Sequence, residues 1–396
     1  MNKNSILEDL QNPSLISFLD LSRWAAAAIV FISHLRNPLF LSYGNIDPDE
    51  INIFIQIWYF ITGWAGEGVI IFFVLSGLLV GASGYEKIRI GKFSTGNYLI
   101  DRVSRLYVAI IPALILSYTF DYFGSTFLSN VGFWDHSHPM INEKIDSAPF
   151  ESKLNFENFT ANFFMLQHFF FDTLGSNSPL WTISAEFWFY IIFGVFGLLK
   201  LGQSKKITVL LCLFILIFLY FFRLEFILLL GYWLVGVFAG AIKPNNIIKP
   251  IYAFLLVLSA LVFSRFFINS SSSSLEVVII NYMVAISYGL LILSMRGKKM
   301  NYLIKFASLN KFLASFSFSL YLLHFPLMLF LLAVLSNFQY FSQIAFGYSP
   351  TDSLGLGIYF LLIILICLFS YIFSLFTEKK TYLVRNWMKD NLLSRN

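Results

Sequence analysis

The sequence has few charged residues. Asp, Glu, Lys and Arg make up 12% of its 396 residues, about half of the ~25% that is usual in soluble domains. Hydrophobic residues reach 58%, 47 residues are Phe, and the mean hydropathy is +0.72. A soluble domain could not hydrate such a surface, and disordered or nucleic-acid-binding chains need far more charge. The composition therefore predicts a polytopic helical membrane protein without a nucleic-acid partner.

Cysteine is also scarce. The two cysteines, Cys212 and Cys367, both lie inside apolar runs, so neither a disulfide nor a metal site is expected from them. The net charge of +5 is typical of basic cytoplasmic loops and does not require an acidic partner.

Long apolar runs, in contrast, are abundant. A spanning helix needs about 20 mostly apolar residues, and ten stretches qualify. They lie near residues 15–35, 66–84, 105–127, 179–199, 206–222, 224–242, 248–268, 276–295, 312–335 and 354–377. Segments 51–62 and 159–174 are apolar but short or interrupted by polar groups. We interpret both as interfacial or re-entrant, although either could be a span.

The loop charges predict the topology. If the N-terminus is cytoplasmic and the ten spans alternate, 21 of the 27 Lys and Arg residues fall on the cytoplasmic side and five on the other, with Arg23 inside a helix. This asymmetry favours both termini in the cytoplasm. The fold class is therefore an all-α polytopic membrane protein of about ten transmembrane helices. Residues 1–396 form a single membrane domain with a core near 15–380 and no separate soluble domain.

The first predicted helix carries three ionisable residues, Asp20, Arg23 and His34. Such residues are costly in a bilayer and by default suggest function. Arg23 and His34 are eleven residues apart, which places them on one helix face about 16 Å apart along the axis. Asp20 can pair with Arg23 from three residues upstream. The alternative interpretation, a snorkelling arginine and an interfacial histidine, is about equally probable from these residues alone.

Three further places in the sequence, with four ionisable residues between them, lie beside or within apolar runs. Arg102 and Arg105 share a face at the cytoplasmic boundary and are suited to bidentate phosphate binding, or else they are positive-inside anchors. Glu186 lies two turns into the fourth long span, among aromatic residues. His324 lies beside Pro326, which suggests a kink that lines a cavity. For Glu186 and His324, a structural hydrogen bond between helices is the more probable role.

The remaining histidines give weaker signals. His136 and His138 resemble a metal-binding pair, but no further ligand is suitably spaced, so we expect a solvated loop. His168 is expected to be structural. The sequence thus predicts no metal site.

Five motifs in this order resemble the acyltransferase 3 family of membrane proteins. The first is Leu-Asp-Leu-Ser-Arg-Trp-Ala-Ala at 19–26, with His34 following Arg23 after ten residues; Trp24 stands where a small glycine is usual. The other four motifs are Gly68 to Gly77, Arg102 to Tyr107, Leu180 to Tyr190, and Ser317 to Pro326. The resemblance covers roughly residues 15–380. Another departure is Glu378, which is followed by two lysines without the proline often found there.

The resemblance implies an enzyme that O-acylates sugars of bacterial envelope polysaccharides, such as lipopolysaccharide, in the inner (cytoplasmic) membrane. The donor would be a cytoplasmic acyl-CoA, most often acetyl-CoA, and the acceptor a glycan hydroxyl at the outer face, lipid-linked or polymeric. Arg102 and Arg105 would hold the coenzyme phosphates, and Arg23 would hold the donor deeper in the membrane. His34 would be the general base, since neutral imidazole suits proton abstraction near pH 7. Asp20, Glu186 and His324 would support His34 or bind the acceptor.

Two alternatives remain open at this point. A transporter or flippase of a lipid-linked glycan would share the charged interior and the interrupted helices. A member of the same family could transfer succinyl instead of acetyl groups.

Overall fold

The computed structural model describes residues 5–141, 148–167, 169–200, 206, 208–213, 224–244, 248–268 and 272–393. Within these ranges the chain is helical and forms no strand beyond isolated bridges such as Phe40 with Tyr348. The α-helices are α1 (Ile6–Asp9), α2 (Pro13–Leu39), α3 (Ile53–Ile61), α4 (Ala65–Ser76), α5 (Ser83–Arg89), α6 (Thr95–Phe127), α7 (Phe156–Phe163), α8 (Leu180–Lys200), α9 (Leu224–Ala241), α10 (Pro250–Phe267), α11 (Ser274–Met295), α12 (Asn301–Lys305), α13 (Ala307–Ala314), α14 (Ser317–Ser336), α15 (Ser353–Phe376) and α16 (Thr381–Leu392). A π-helical segment, Gly77–Ala82, joins α4 to α5.

Eight stretches of the described chain are long and apolar enough to cross a membrane. Each overlaps one of the ten predicted spans, so the prediction of a polytopic helical protein is confirmed. The predicted span 105–127 is not among these eight stretches. It lies within α6, which begins ten residues earlier, at Thr95, because Ser94 caps its N-terminus. Most of the predicted span 206–222 lies outside the described residues.

Each doubtful segment overlaps a short helix: α3 lies within 51–62, and the end of α7 covers the start of 159–174. α3 has nine residues and α7 has eight, lengths of about 14 and 12 Å, whereas the hydrocarbon core is ~30 Å thick. Neither helix alone can cross it. α3 exposes Ile53, Phe54, Ile57 and Ile61, which is the apolar surface expected of a helix lying at an interface.

The helix carrying the first motif is central to the packing. α2 packs against α4, α13, α14 and α15. On the other side of α4, the backbones of α4 and α9 come very close together. A Cβ atom at Gly77 would overlap the carbonyl of Trp233, and one at Gly236 would overlap the carbonyl of Val74. Glycine at both positions therefore permits this close crossing, which brings α9 next to the residues that line the site described below.

Candidate active site

Two histidines from different helices meet through their imidazole rings. His34 Nδ1 lies 2.9 Å from His324 Nε2, and the rings are stacked with their centroids 5.2 Å apart. His324 is fully buried, whereas His34 lines a cavity. The structure thus pairs two of the residues that the sequence analysis singled out on separate helices, 290 residues apart in sequence.

The backbone around His324 fixes the proton positions of the pair. His324 Nδ1 lies 2.9 Å from the carbonyl oxygen of Tyr321 and 3.1 Å from that of Leu320. Because a carbonyl only accepts, Nδ1 must carry the hydrogen. In the neutral pair, His324 Nε2 is then the acceptor and His34 Nδ1 donates to it. His34 Nε2 is left with a free lone pair, which a general base needs.

Near Pro326, a side chain from another segment holds the helix that carries His324. Pro326 has no amide hydrogen, so the carbonyl of Leu322 loses its usual helical donor. Asn177 replaces that donor, because its Nδ2 atom lies 2.8 Å from the Leu322 oxygen and 2.8 Å from Ser117 Oγ. The predicted proline site is therefore a point where α14, α6 and the segment before α8 are joined.

The cavity beside His34, which we call the His34 cavity, has a volume of about 840 Å³. It lies between α2, α4, α8, α9, α11 and α14. Most of its wall is apolar or aromatic, including Phe73, Trp181 and Tyr232, with a few polar groups such as Asn37 and Asn281. An apolar cavity with a small number of placed polar groups is typical of ligand sites.

A narrower cavity, the arginine channel, adjoins the His34 cavity. It has a volume of about 90 Å³, and its lining includes Arg23, Arg105 and Glu186. Val69, Phe73 and Tyr321 line both cavities, so the two cavities share part of their walls.

Carboxylates surround the arginines of this channel. Arg23 Nη1 lies 3.7 Å from Asp20 Oδ1, as the sequence predicts. Glu186 and Glu378 are further electrostatic neighbours that favour the charge on Arg23, whereas Arg105 opposes it. Glu378 is held by the amide and hydroxyl of Ser319, at 2.8 and 2.6 Å. The sequence analysis noted Glu378 only as a departure from a motif, because no helical spacing relates it to Arg23.

Arg102 faces a third cavity, the mouth cavity, of about 890 Å³. Its charged lining is mainly basic; the residues are Glu8, Glu86, Lys87, Arg89, Lys92, Asp101, Arg102 and Lys389. The Arg102 guanidinium lies 6.0 Å from the centre of the Tyr190 ring. Val80 lines both the mouth cavity and the arginine channel. The predicted arginine pair is thus divided, with Arg102 in the mouth and Arg105 in the channel.

The three cavities therefore form a series. The mouth cavity meets the arginine channel at Val80, and the channel meets the His34 cavity at Val69, Phe73 and Tyr321. The series begins at Arg102, passes Arg23 and Arg105, and ends at His34. A long flexible ligand that enters at the mouth would meet basic groups first and an imidazole last.

Glu186 supports a different part of the site from the one expected. It accepts a hydrogen bond from the Tyr190 hydroxyl, which also lies 3.1 Å from Ser76 Oγ. No contact joins Glu186 to His34 in the part of the chain that the structure describes. Of the proposed supporting residues, His324 contacts His34 and Asp20 contacts Arg23.

The expected solvated loop at His136 and His138 is wrong for His138, which is only 2% exposed. Its Nε2 donates to the carbonyl of Ile344 at 2.9 Å, and its Nδ1 accepts from the Met140 amide at 3.2 Å. Burial lowers the pKa of His138 from its usual value of 6.5. Among the described residues, no cluster of three potential metal ligands occurs. His168 lies outside the described residues.

The sequence analysis also missed the fully buried carboxylate of Asp121. Asp121 on α6 accepts from Trp134 Nε1 at 2.8 Å, and from the amide and hydroxyl of Ser176 at 2.7 Å each. These bonds tie the long segment after α6, and the turn that carries Asn177, to the helix bundle. The only signal in sequence was an acidic residue within an apolar run.

Comparison with known proteins adds a family and one relative. A family model described as an acyltransferase domain matches residues 16–375. A protein of Shigella phage Sf6 named "O-acetyl transferase" is 29% identical over 199 residues, which is 50% of this chain and 50% of that protein. The chain thus spans about half the length of this curated relative. No solved structure matches.

Proposed function

Because the chain belongs to the acyltransferase 3 family, whose model matches residues 16–375, we propose that it is an integral membrane O-acyltransferase. It transfers an acyl group, acetyl in the first instance, from a cytoplasmic acyl-CoA to a hydroxyl of an envelope or surface glycan. The phage relative named O-acetyl transferase supports acetyl as the group.

In the proposed orientation, the mouth cavity opens on the cytoplasmic side of a bacterial inner membrane. The mouth is lined by Lys87, Arg89, Lys92 and Arg102, and basic residues concentrate on the cytoplasmic side of membrane proteins. Both termini lie on that side in this arrangement, and the ten-span topology follows if residues 206–222 form a span. His34 then opens toward the opposite face, where the glycan is presented.

The donor binds along the series of cavities. Arg102 in the mouth and Arg105 in the channel engage phosphates of the coenzyme, for which guanidinium groups are suited. Arg23, with Asp20 beside it at 3.7 Å, marks the position that the pantetheine arm passes. The thioester reaches the His34 cavity beyond Tyr321.

In the chemical step, the acceptor hydroxyl oxygen attacks the thioester carbonyl carbon while His34 Nε2 takes the hydroxyl proton. The carbon–sulfur bond then breaks, and the coenzyme thiolate receives that proton from His34. His324 is a positioning residue in this scheme, since its hydrogen bond to His34 Nδ1 directs the free lone pair at Nε2. General-base catalysis of this kind contributes about 10²–10⁴-fold.

The observation that carries the proposal is the histidine pair at the end of a cavity series that starts at Arg102. A transporter would need a path for its cargo, but it would not need an imidazole with a directed lone pair beside that path.

The test is acyl transfer by the purified full-length protein, followed by release of the coenzyme thiol. We expect turnover in the unmodified protein and a loss of about 10²–10⁴-fold in His34→Ala, the range of general-base catalysis. Ser33→Ala is the matched control, because Ser33 is the neighbouring buried residue and its hydroxyl has no hydrogen-bond partner; it is expected to retain turnover. Undiminished turnover of His34→Ala would refute the role of His34. Intact acyl-CoA with every acceptor would favour the transporter, and preferential use of succinyl-CoA would correct the acyl group.

A further inference from the structure

A fourth cavity lies beside the end of α2 that carries His34. It has a volume of about 740 Å³, and its lining includes Arg36, Asn37, Tyr59, Met140 and Arg265. We call it the Arg36 cavity. It contains two guanidinium groups and shares no lining residue with the arginine channel or the mouth cavity.

Arg36 is held entirely by neutral groups. Its Nη1 lies 3.2 Å from Thr62 Oγ1, its Nη2 lies 2.7 Å from Asn37 Oδ1, and its guanidinium lies 5.0 Å from the centre of the Tyr59 ring. These contacts fix the direction of the guanidinium without neutralising its charge.

Arg265 approaches the same tyrosine from the other helix. Its Nη2 donates to the carbonyl of Tyr59 at 3.1 Å, while its Nε is buried without a hydrogen-bond partner. A Cβ at position 63 would overlap the guanidinium, so Gly63 is what leaves room for it. Both arginines therefore contact Tyr59, Arg36 at its ring and Arg265 at its carbonyl, and Arg265 is a repulsive electrostatic neighbour of Arg36.

No carboxylate of the described chain forms an ion pair with either arginine. Glu67 accepts a hydrogen bond at 2.6 Å from the hydroxyl of Ser264, the residue before Arg265. Two adjacent, partly buried cations without a counter-ion are unfavourable, and buried donors without acceptors add to this cost. An anion bound between them would relieve both costs.

The position of the Arg36 cavity relative to the His34 cavity indicates which molecule would carry such an anion. Asn37 lines both the Arg36 cavity and the His34 cavity, so the two adjoin. A molecule whose hydroxyl reaches His34 can therefore extend a neighbouring group toward Arg36 and Arg265.

We propose that Arg36 and Arg265 bind an anionic group, a phosphate or a carboxylate, that is carried by the acceptor. This inference rests on the proposed function and names its acceptor class: a glycan that is acidic close to the hydroxyl that is acylated. Two sources share this chemistry, the phosphate of a lipid-linked or phosphorylated glycan and the carboxylate of an acidic sugar.

The experiment compares acceptors of matched size with the full-length protein in vesicles of net-neutral phosphatidylcholine, with acetyl-CoA on both sides. The acceptors are an alkyl glucoside, the corresponding glucuronide and the corresponding glucoside phosphate. The readout is the ratio of kcat/KM for each anionic acceptor to kcat/KM for the neutral one. This ratio does not depend on the fraction of protein that is folded.

We expect the unmodified protein to prefer an anionic acceptor, and the ratio to fall about tenfold in Arg36→Gln and in Arg265→Gln, as is typical for loss of a charged hydrogen bond. Gly63→Ala should resemble Arg265→Gln, because the added methyl displaces the guanidinium. Arg265→Lys keeps the charge and should retain part of the preference. Lys305→Gln, which removes an exposed charge outside this cavity, is the control and should retain all of it.

The outcomes separate the two proposals. The natural anionic group, phosphate or carboxylate, is the one whose kcat/KM ratio falls more in the arginine variants. If the unmodified protein uses neutral and anionic acceptors equally, or if the ratio survives in both arginine variants, the anion site is wrong while the acyltransferase stands. If no acceptor is acylated at all, the proposed function fails and this inference fails with it.

Discussion

The arginine channel and the Arg36 cavity both hold two guanidinium groups, but their surroundings differ. In the channel, Arg23 lies near Asp20, Glu186 and Glu378. In the Arg36 cavity, the partners of Arg36 and Arg265 are neutral oxygens and a tyrosine ring. The channel charges are thus largely balanced within the protein, whereas those of the Arg36 cavity are not.

This difference shows how each region can treat a negative ligand. Under the proposed function, a long donor passes the channel, where the carboxylates near Arg23 would moderate its binding. Under the same proposal, an acceptor is selected and held while it reacts, which charges without a counter-ion would favour. The histidine pair lies between the two regions, where Tyr321 and Asn37 line the adjoining cavities.

Loss of the hydrogen bond between His34 and His324, which lie between the two regions, has the largest expected effect. His324→Phe is expected to lower kcat by about 10–100-fold with little change in the KM of either substrate, because His34 loses the acceptor that orients its lone pair. His324→Gln keeps an oxygen that can accept from His34 Nδ1 and should recover part of kcat. Steady-state kinetics on both variants is the measurement. Equal losses in the two variants, or a change in KM alone, would contradict a positioning role.

Changing the charge of the channel tests its balance directly. Arg105→Gln is expected to weaken coenzyme A binding about tenfold, since one phosphate contact is lost. Glu378→Gln should strengthen it about threefold, because an amide oxygen can still accept from Ser319 while the negative charge beside Arg23 and Arg105 is gone. Calorimetric titration with coenzyme A measures both, with Lys305→Gln as the control. Weaker binding in Glu378→Gln would show that Glu378 does not balance the arginines.

The smallest expected effect concerns the wall of the Arg36 cavity. Met140 lines this cavity, and its amide donates to His138 Nδ1; protonation of that nitrogen breaks the bond. Since burial lowers the pKa of His138 below 6.5, the released segment binds a proton more readily than the ordered one. The ordering is therefore strongest above pH 6.5 and weakens as the pH falls below it.

Hydrogen exchange of residues 128–141 at pH 7.5 and pH 5.5, corrected for intrinsic rates, measures this effect. Protection should fall at the lower pH in the unmodified protein, and His138→Gln, which cannot titrate, should show no such dependence. Identical dependence in both proteins would rule out His138 as its origin.

Much of the fold was predictable from sequence because the signal is local. Apolar runs of about 20 residues predicted a span within each of the eight stretches that the structure shows to be long and apolar enough to cross a membrane. The start of α6 was missed because its first turn is polar and is capped by Ser94, a feature that hydropathy does not detect.

The site was predictable only as separate parts. Helical spacing related Arg23 to Asp20, and motif residues pointed to His34 and His324. The contact between the two imidazoles is tertiary, as are those of Glu378 with Ser319 and of Asp121 with Ser176. Arg36 and Arg265 escaped notice because each alone is an ordinary basic residue near a helix end. Their significance comes from being together without a carboxylate, which only a structure shows.

We propose that one continuous path carries the acyl group across the membrane, from the mouth cavity at Arg102 to the His34 cavity. The most direct test encloses labelled acetyl-CoA inside sealed vesicles that contain the purified protein and supplies the glycan acceptor only outside. We predict that label appears on the outside acceptor, and that His34→Ala abolishes this transfer while Ser33→Ala does not. Transfer that occurs only when donor and acceptor are on the same side of the membrane would contradict the account.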